Sequence, residues 1–114
     1  MIALYGIPNC DTVKKARAWL ADNHIAFDFH DYKKEGVDRA RLLKWIAVVG
    51  WEVLLNRAGT TFRGLSDADK AGIDQDKAVA LMIAQPSLIK RPVVEYPGGM
   101  LVGFKPDIYA KALL

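Results

Sequence analysis

The sequence contains few of the residues that usually reveal a protein's chemistry. Its 114 residues include one cysteine, Cys10, and two histidines, His24 and His30. A single cysteine excludes an internal disulfide and a cysteine-rich metal site, and the histidines have no second ligand type at metal-binding spacing. We therefore expect no bound metal or other cofactor. A chain without disulfides is also typical of the cytoplasm.

Long hydrophobic runs are missing as well. No apolar stretch approaches the roughly 18 residues of a membrane span, and no basic region precedes an apolar stretch at the N-terminus. The net charge is only +3, from 16 basic and 13 acidic residues, and the three tryptophans are not interleaved with a basic stripe. This charge suits a small anionic ligand. It does not suit nucleic acid, so we expect neither nucleic acid nor a membrane as a partner.

The elements that are present predict a single α/β domain spanning residues 1–114. Residues 1–5 are predicted as a strand, residues 12–23 as an amphipathic helix and residues 27–32 as a second strand. Because a helix connects the two strands, they are expected to lie parallel in a right-handed βαβ unit.

Residues 38–85 are predicted as a helical insertion, in which Asp38, Ser66 and Asp74 are candidate N-caps and residues 75–84 form the last helix. The chain then returns to β-structure.

Residues 93–96 and 100–102 flank the turn-forming sequence Pro97-Gly98-Gly99, which predicts an antiparallel hairpin, and a terminal helix covers residues 108–114. This order of elements is that of a thioredoxin-like fold, with the helical insertion between an N-terminal βαβ half and a C-terminal ββα half. The sequence has no coiled-coil heptads, so we expect a monomer.

Cys10 is the principal candidate for a catalytic residue. A lone cysteine is often only a small buried hydrophobe, but Cys10 follows the loop sequence Gly6-Ile7-Pro8-Asn9 at the predicted start of a helix. The unpaired amides there favour a thiolate. Val13 occupies the position of the second cysteine of a Cys-x-x-Cys pair. Cys10 therefore cannot resolve its own disulfide, and the second thiol must come from glutathione or a protein.

Positive charge close to this thiol would favour the thiolate and an anionic ligand. Lys14 lies four residues after Cys10, although it could equally be a solvated surface residue. Arg91-Pro92 precedes the third predicted strand, and a proline there can adopt a cis bond that fixes the residue before it. Arg91 would then offer a two-pronged grip on a carboxylate or an oxyanion. The alternative is an arginine at the rim of the sheet, followed by a trans proline.

Five segments resemble the arsenate reductase (ArsC)/Spx family, and most strongly its YffB-like branch. They are Tyr5–Thr12, Phe29–Tyr32, Gly50–Asn56, Gly59–Thr61 and Ile89–Pro92. The resemblance extends over nearly the whole chain. It implies a thioredoxin-like fold, a nucleophilic Cys10, and a binding role for Arg91 in the family's Arg-Pro motif.

The sequence departs from the arsenate-reducing members at two expected arginines. At the first of these positions the sequence has Asn56, with Arg57 one residue later, and at the second it has Lys105. Lysine cannot reproduce the planar fork of arginine on an oxyanion. The resemblance therefore favours a glutathione-dependent monothiol reductase over a glutaredoxin-coupled arsenate reductase or an Spx-like regulator without catalysis. The residues expected to bind glutathione or substrate are Asn9, Lys14, Arg57, Arg91, Pro92 and Lys105. The other substrate is expected to be an unknown small molecule or protein thiol.

Overall fold

Four strands and eight helices make up most of the chain, and the computed structural model describes all of residues 1–114. The strands are β1 (Ile2–Gly6), β2 (Phe27–Asp31), β3 (Val93–Tyr96) and β4 (Gly99–Val102). The helices are α1 (Asp11–Asp22), α2 (Tyr32–Glu35), α3 (Arg39–Val49), α4 (Trp51–Leu54), α5 (Thr60–Arg63), α6 (Asp67–Lys70), α7 (Gln75–Ala84) and α8 (Pro106–Leu113). A 3-10 turn covers Pro86–Leu88. None of the helices combines the length and apolar character needed to cross a membrane.

The chain divides into two units, and the sheet belongs to the first, which comprises residues 1–35 and 91–114. The second unit, residues 36–90, extends slightly beyond the predicted insertion at both ends. That both units make a single domain stays a prediction.

The first unit contains the predicted βαβ arrangement. β1 and β2 pair in parallel, from Ile2 opposite Phe27 to Gly6 opposite Asp31. β1 also pairs antiparallel with β3, and β3 and β4 form the predicted hairpin, which gives the strand order β2-β1-β3-β4. This mixed sheet with its helices has the thioredoxin-like α/β architecture that the sequence predicts.

One buried cluster fixes α1 on the sheet. It consists of Leu4 and Val94 from adjacent strands, Val13, Ala16 and Leu20 from α1, and Tyr109 from α8. The three α1 residues lie at i, i+3 and i+7, so they form one face of the helix. Cys10 is partly buried and packs against the same cluster. The N-terminus of α1 is thus held at the carboxyl end of β1.

The prediction of a strand through Tyr32 is wrong by one residue. β2 ends at Asp31 because the Asp31 Oδ1 atom accepts hydrogen bonds from the backbone N–H groups of Lys33 (3.1 Å) and Lys34 (3.3 Å), which starts a short helix. Tyr32 is therefore the first residue of α2 and is buried. The side chain of this residue enters the candidate site described below.

The second unit is helical, and its three predicted N-caps are all present. The side chains of Asp38, Ser66 and Asp74 accept hydrogen bonds from the backbone N–H groups of Ala40, Asp69 and Lys77. The last long helix, α7, has the predicted bounds. The buried residues of this unit include Leu42, Trp45, Leu54, Val79, Met82 and Ile89.

Candidate active site

The loop between β1 and α1 places Cys10 at the helix N-terminus. Pro8 and Asn9 occupy the corners of a turn that is closed by a hydrogen bond from the Cys10 N–H group to the Ile7 carbonyl oxygen (3.2 Å). Cys10 has an extended backbone, and its carbonyl oxygen accepts the first helical hydrogen bond, from the Lys14 N–H group (2.9 Å). It is therefore the N-cap residue of α1, which begins at Asp11, one residue before the predicted start of the helix.

Gly6 allows the first turn of α1 to approach the end of β1. A Cβ atom at this position would lie only 2.8 Å from Cγ2 of Val13, which is fully buried. Val13 thus fills, as a packing residue, the position where a Cys-x-x-Cys pair would have its second thiol. Cys10 is the only thiol of the chain.

Arg91 lies beside this thiol. The Arg91–Pro92 peptide bond is cis, and the half-buried guanidinium forms hydrogen bonds with the Cys10 side chain and with the Tyr32 hydroxyl group. Because arginine has only donors, the sulfur and the phenol oxygen are the acceptors. The structure therefore brings Arg91 to Cys10, while its role in holding a ligand stays a prediction.

The surroundings of Cys10 favour the thiolate. Burial raises the pKa of the Cys10 thiol, but hydrogen bonds from the Val13 N–H group, the Arg91 guanidinium and the Thr12 N–H group outweigh burial and bring the pKa below its ordinary value. Both amides belong to the first turn of α1, whose N–H groups have no partner within the helix. The sulfur can therefore react as a nucleophile at lower pH than a free thiol.

Tyr32 is the member of the site that the sequence did not reveal as functional. Its side chain is 1% exposed. Burial is the main reason that the pKa of Tyr32 is raised to about 12, so the hydroxyl group is neutral at physiological pH. One signal could have found it: the carboxyl ends of parallel strands meet at one edge of a sheet, so residues that follow β1 and β2 converge.

Two other predicted binding residues lie close to Cys10 in the chain. Asn9 is exposed in the turn directly before Cys10, and Lys14 is exposed on α1. The Arg91 guanidinium contributes more than any other side-chain cation to the lowered pKa of Cys10. Lys14 is therefore not the main activating charge, although it remains available to a ligand.

Lys105 and Arg57 occupy different units. Lys105 is the exposed N-cap residue of α8, two residues after Gly103, whose N–H group donates to the Pro92 carbonyl oxygen (2.8 Å). The loop that carries Lys105 is thus tied to the Arg-Pro motif. Arg57 belongs to residues 36–90, where its guanidinium lies 5.6 Å from the centre of the Trp51 ring.

A mixed four-stranded sheet with a thiol at the N-terminus of its first helix defines a thioredoxin-like protein suited to thiol chemistry. The ArsC family model matches residues 5–112, and the chain belongs to this family. It is 43% identical over 112 residues to an uncharacterized protein of Haemophilus influenzae, and the match covers 98% of each chain. It is 29% identical over 109 residues to the global transcriptional regulator Spx of Streptococcus mutans, covering 94% of this chain and 79% of Spx.

Solved structures of the same family are similar over the whole chain. The structure of a YFFB protein has 60% sequence identity and a TM-score of 0.96, with all of both chains covered. An arsenate reductase (ArsC) related protein from Brucella melitensis has 53% identity and a TM-score of 0.79, covering 99% of this chain and 95% of its own. These relatives support a thiol-dependent redox or regulatory role.

Proposed function

We propose that the protein is a glutathione-dependent monothiol reductase, with Cys10 as its nucleophile. The observation that carries this proposal is a single thiol whose sulfur is stabilised as a thiolate by Arg91 and by the amides of α1. With Val13 three residues on, no second thiol of this chain can complete the reaction.

The proposed reaction has two thiol–disulfide exchanges. In the first, the Cys10 thiolate attacks the glutathione sulfur of a glutathionylated substrate; a bond forms between Cys10 and glutathione, and the substrate leaves as a thiolate that takes up a proton. In the second, the thiolate of another glutathione attacks the glutathione sulfur of this mixed disulfide, releasing glutathione disulfide and the Cys10 thiolate. In the sum of the two steps, the substrate sulfur is reduced to a thiol, one free glutathione is oxidised, and it leaves with the transferred glutathione as glutathione disulfide.

Arg91 has a different partner in each half of this cycle. Before the attack, its guanidinium donates to the Cys10 sulfur. Once that sulfur belongs to a disulfide, it carries no charge, and the guanidinium can bind a carboxylate of glutathione instead. Lys105, Arg57 and Lys14 are the other cations proposed for the carboxylates. Asn9, which directly precedes Cys10 in the chain, and Pro92, which directly follows Arg91, are the remaining residues proposed for binding.

The rate of Cys10 alkylation against pH tests whether the thiol is activated. A midpoint well below the roughly 8.5 of a free thiol supports the proposal. A thiol that reacts no faster than a free cysteine contradicts it.

Incubation with glutathione disulfide tests the covalent step. Intact mass is expected to show one glutathione adduct, which reduced glutathione removes and which Cys10→Ser lacks. If no adduct forms at any accessible pH, the monothiol mechanism is wrong.

Arsenate reduction is the second candidate, because the chain belongs to the ArsC family and an arginine beside the thiol suits an oxyanion. Asn56, at the position of an expected arginine, uses its side-chain oxygen to accept a hydrogen bond from the Ala58 N–H group (3.1 Å). Turnover of arsenate with glutathione and glutaredoxin, lost in Arg91→Ala, would favour this function over the first.

Regulation by protein binding is a third candidate, because the chain is also similar to Spx. A pull-down that returns RNA polymerase subunits equally with wild-type protein and with Cys10→Ser would favour it.

A further inference from the structure

We propose that Tyr32 is a positioning residue whose hydroxyl group holds the Arg91 guanidinium against the Cys10 sulfur. Tyr32 acts on the thiol through Arg91. The inference rests on the proposed function and deepens it, since it identifies what keeps the activating arginine in place.

The topology brings the three residues to one edge of the sheet. Cys10 follows β1, Tyr32 follows β2, and Arg91 stands two residues before β3. These three strands are neighbours, with β1 between the other two. Because β3 runs antiparallel to β1, its first residue, Val93, lies opposite Tyr5 near the carboxyl end of β1. Residues distant in sequence therefore meet here.

Tyr32 is a rigid acceptor. Its ring is 1% exposed, and Asp31 holds the turn around it by accepting hydrogen bonds from the backbone N–H groups of Lys33 and Lys34. The Asp31 N–H group in turn donates to Glu35 Oε2 (3.1 Å). The phenol oxygen thus has a position that the fold determines.

Arg91, by contrast, has a long side chain that loses rotamer freedom when its guanidinium is held in one place. Its hydrogen bond to the fixed Tyr32 oxygen restricts the guanidinium even when the sulfur is protonated and accepts weakly. A neutral phenol also does not compete with the thiolate for positive charge. The Arg91 guanidinium is therefore already in position to donate to the Cys10 sulfur when the thiol ionises.

The test is Tyr32→Phe, which removes the hydroxyl group and keeps the buried ring. The thiolate fraction is followed by its ultraviolet absorbance against pH. At a pH below the midpoint of the wild-type titration, we expect the thiolate fraction to fall about twofold. The loss is small because the hydrogen bond removed is a neutral one and stabilises the thiolate only indirectly, through Arg91. In an Arg91→Met background, the same substitution should leave the thiolate fraction unchanged.

Tyr109→Phe is the matched control. Tyr109 is also 1% exposed and also lies in the first unit, but its hydroxyl group donates to the Gly103 carbonyl oxygen (2.7 Å). Its removal should leave the Cys10 midpoint at the wild-type value. Circular dichroism of both variants checks that the fold is kept.

The inference is overturned if Tyr32→Phe leaves the thiolate fraction unchanged, or if it lowers the fraction equally with and without Arg91. An unactivated thiol in the wild-type protein also overturns it. Adduct formation with glutathione disulfide separates this inference from the proposed function. If Tyr32→Phe shifts the midpoint but no adduct forms, Tyr32 positions Arg91 and the glutathione mechanism is wrong.

Discussion

Replacing Arg91 with methionine should lower the thiolate fraction of Cys10. Methionine is similar in length and flexible, but it has neither the charge nor the N–H donors of arginine. In the structure, the Cys10 thiolate is stabilised by the Arg91 side chain and by the backbone amides of Val13 and Thr12. The variant loses the first and keeps both amides. The substitution thus removes one identified contribution and leaves the helix N-terminus intact.

The size of the effect follows from the kind of hydrogen bond that is lost. A hydrogen bond to a charged group contributes about 1.5–3 kcal/mol, and the partial exposure of Cys10 and Arg91 reduces this to about 1 kcal/mol. That corresponds to a roughly fivefold lower thiolate fraction at a pH below the midpoint. The alkylation rate should fall only about two- to threefold, because a more basic thiolate is a better nucleophile.

The assay is the ultraviolet absorbance of the thiolate against pH, with Cys10→Ser subtracted as background. Lys111→Met is the control, because it removes one positive charge from an exposed position on α8 of the same unit. If Arg91→Met and Lys111→Met shift the titration equally, only net charge matters and the specific role of Arg91 is refuted.

Three further predictions concern the thiol and the first turn of α1. Because the pKa of Cys10 is lower in the folded protein than in the unfolded chain, the thiolate stabilises the fold above the unfolded pKa, and this contribution is lost as pH falls through the folded pKa. Urea unfolding should therefore show a rise in stability with pH across that window that Cys10→Ser lacks. Gly6→Ala should lower the free energy of unfolding by about 1–3 kcal/mol, because its Cβ would meet buried Val13, and Val13→Ala should restore part of it. When Val13→Cys is treated with glutathione disulfide, the new thiol should displace glutathione from Cys10 and form an internal disulfide. A glutathione adduct that stays on Cys10 in this variant would show that Val13 is not what prevents internal resolution.

Much of the fold could be predicted because its signals are local. Asp38 is predicted as an N-cap from its residue type and position, and its side chain caps α3 in the structure. The position of Cys10 at a helix start follows equally from the loop sequence before it. These features depend on hydrogen bonds between residues only a few positions apart.

The contacts of the site were harder to predict, because they join residues far apart in the chain. Arg91 could be placed near Cys10 only through the family resemblance and the general architecture. The alternating pattern of residues 27–32 predicts a strand through Tyr32, but hydrogen bonds to the Asp31 side chain start α2 at Tyr32. Lys14 is near enough in sequence to suggest activation, but the side-chain cation that lowers the pKa of Cys10 is Arg91. The antiparallel pairing of β1 with β3 places Arg91, two residues before β3, beside the Cys10 sulfur. This pairing joins distant segments and has no local sequence motif.

The most direct test of the central claim is a single turnover with a glutathionylated peptide. Reduced protein in excess is mixed with the peptide, without free glutathione, and both are followed by intact mass. The account predicts that glutathione moves from the peptide to Cys10 and that Cys10→Ser leaves the peptide modified. A peptide that stays glutathionylated while Cys10 remains free and open to alkylation would contradict it.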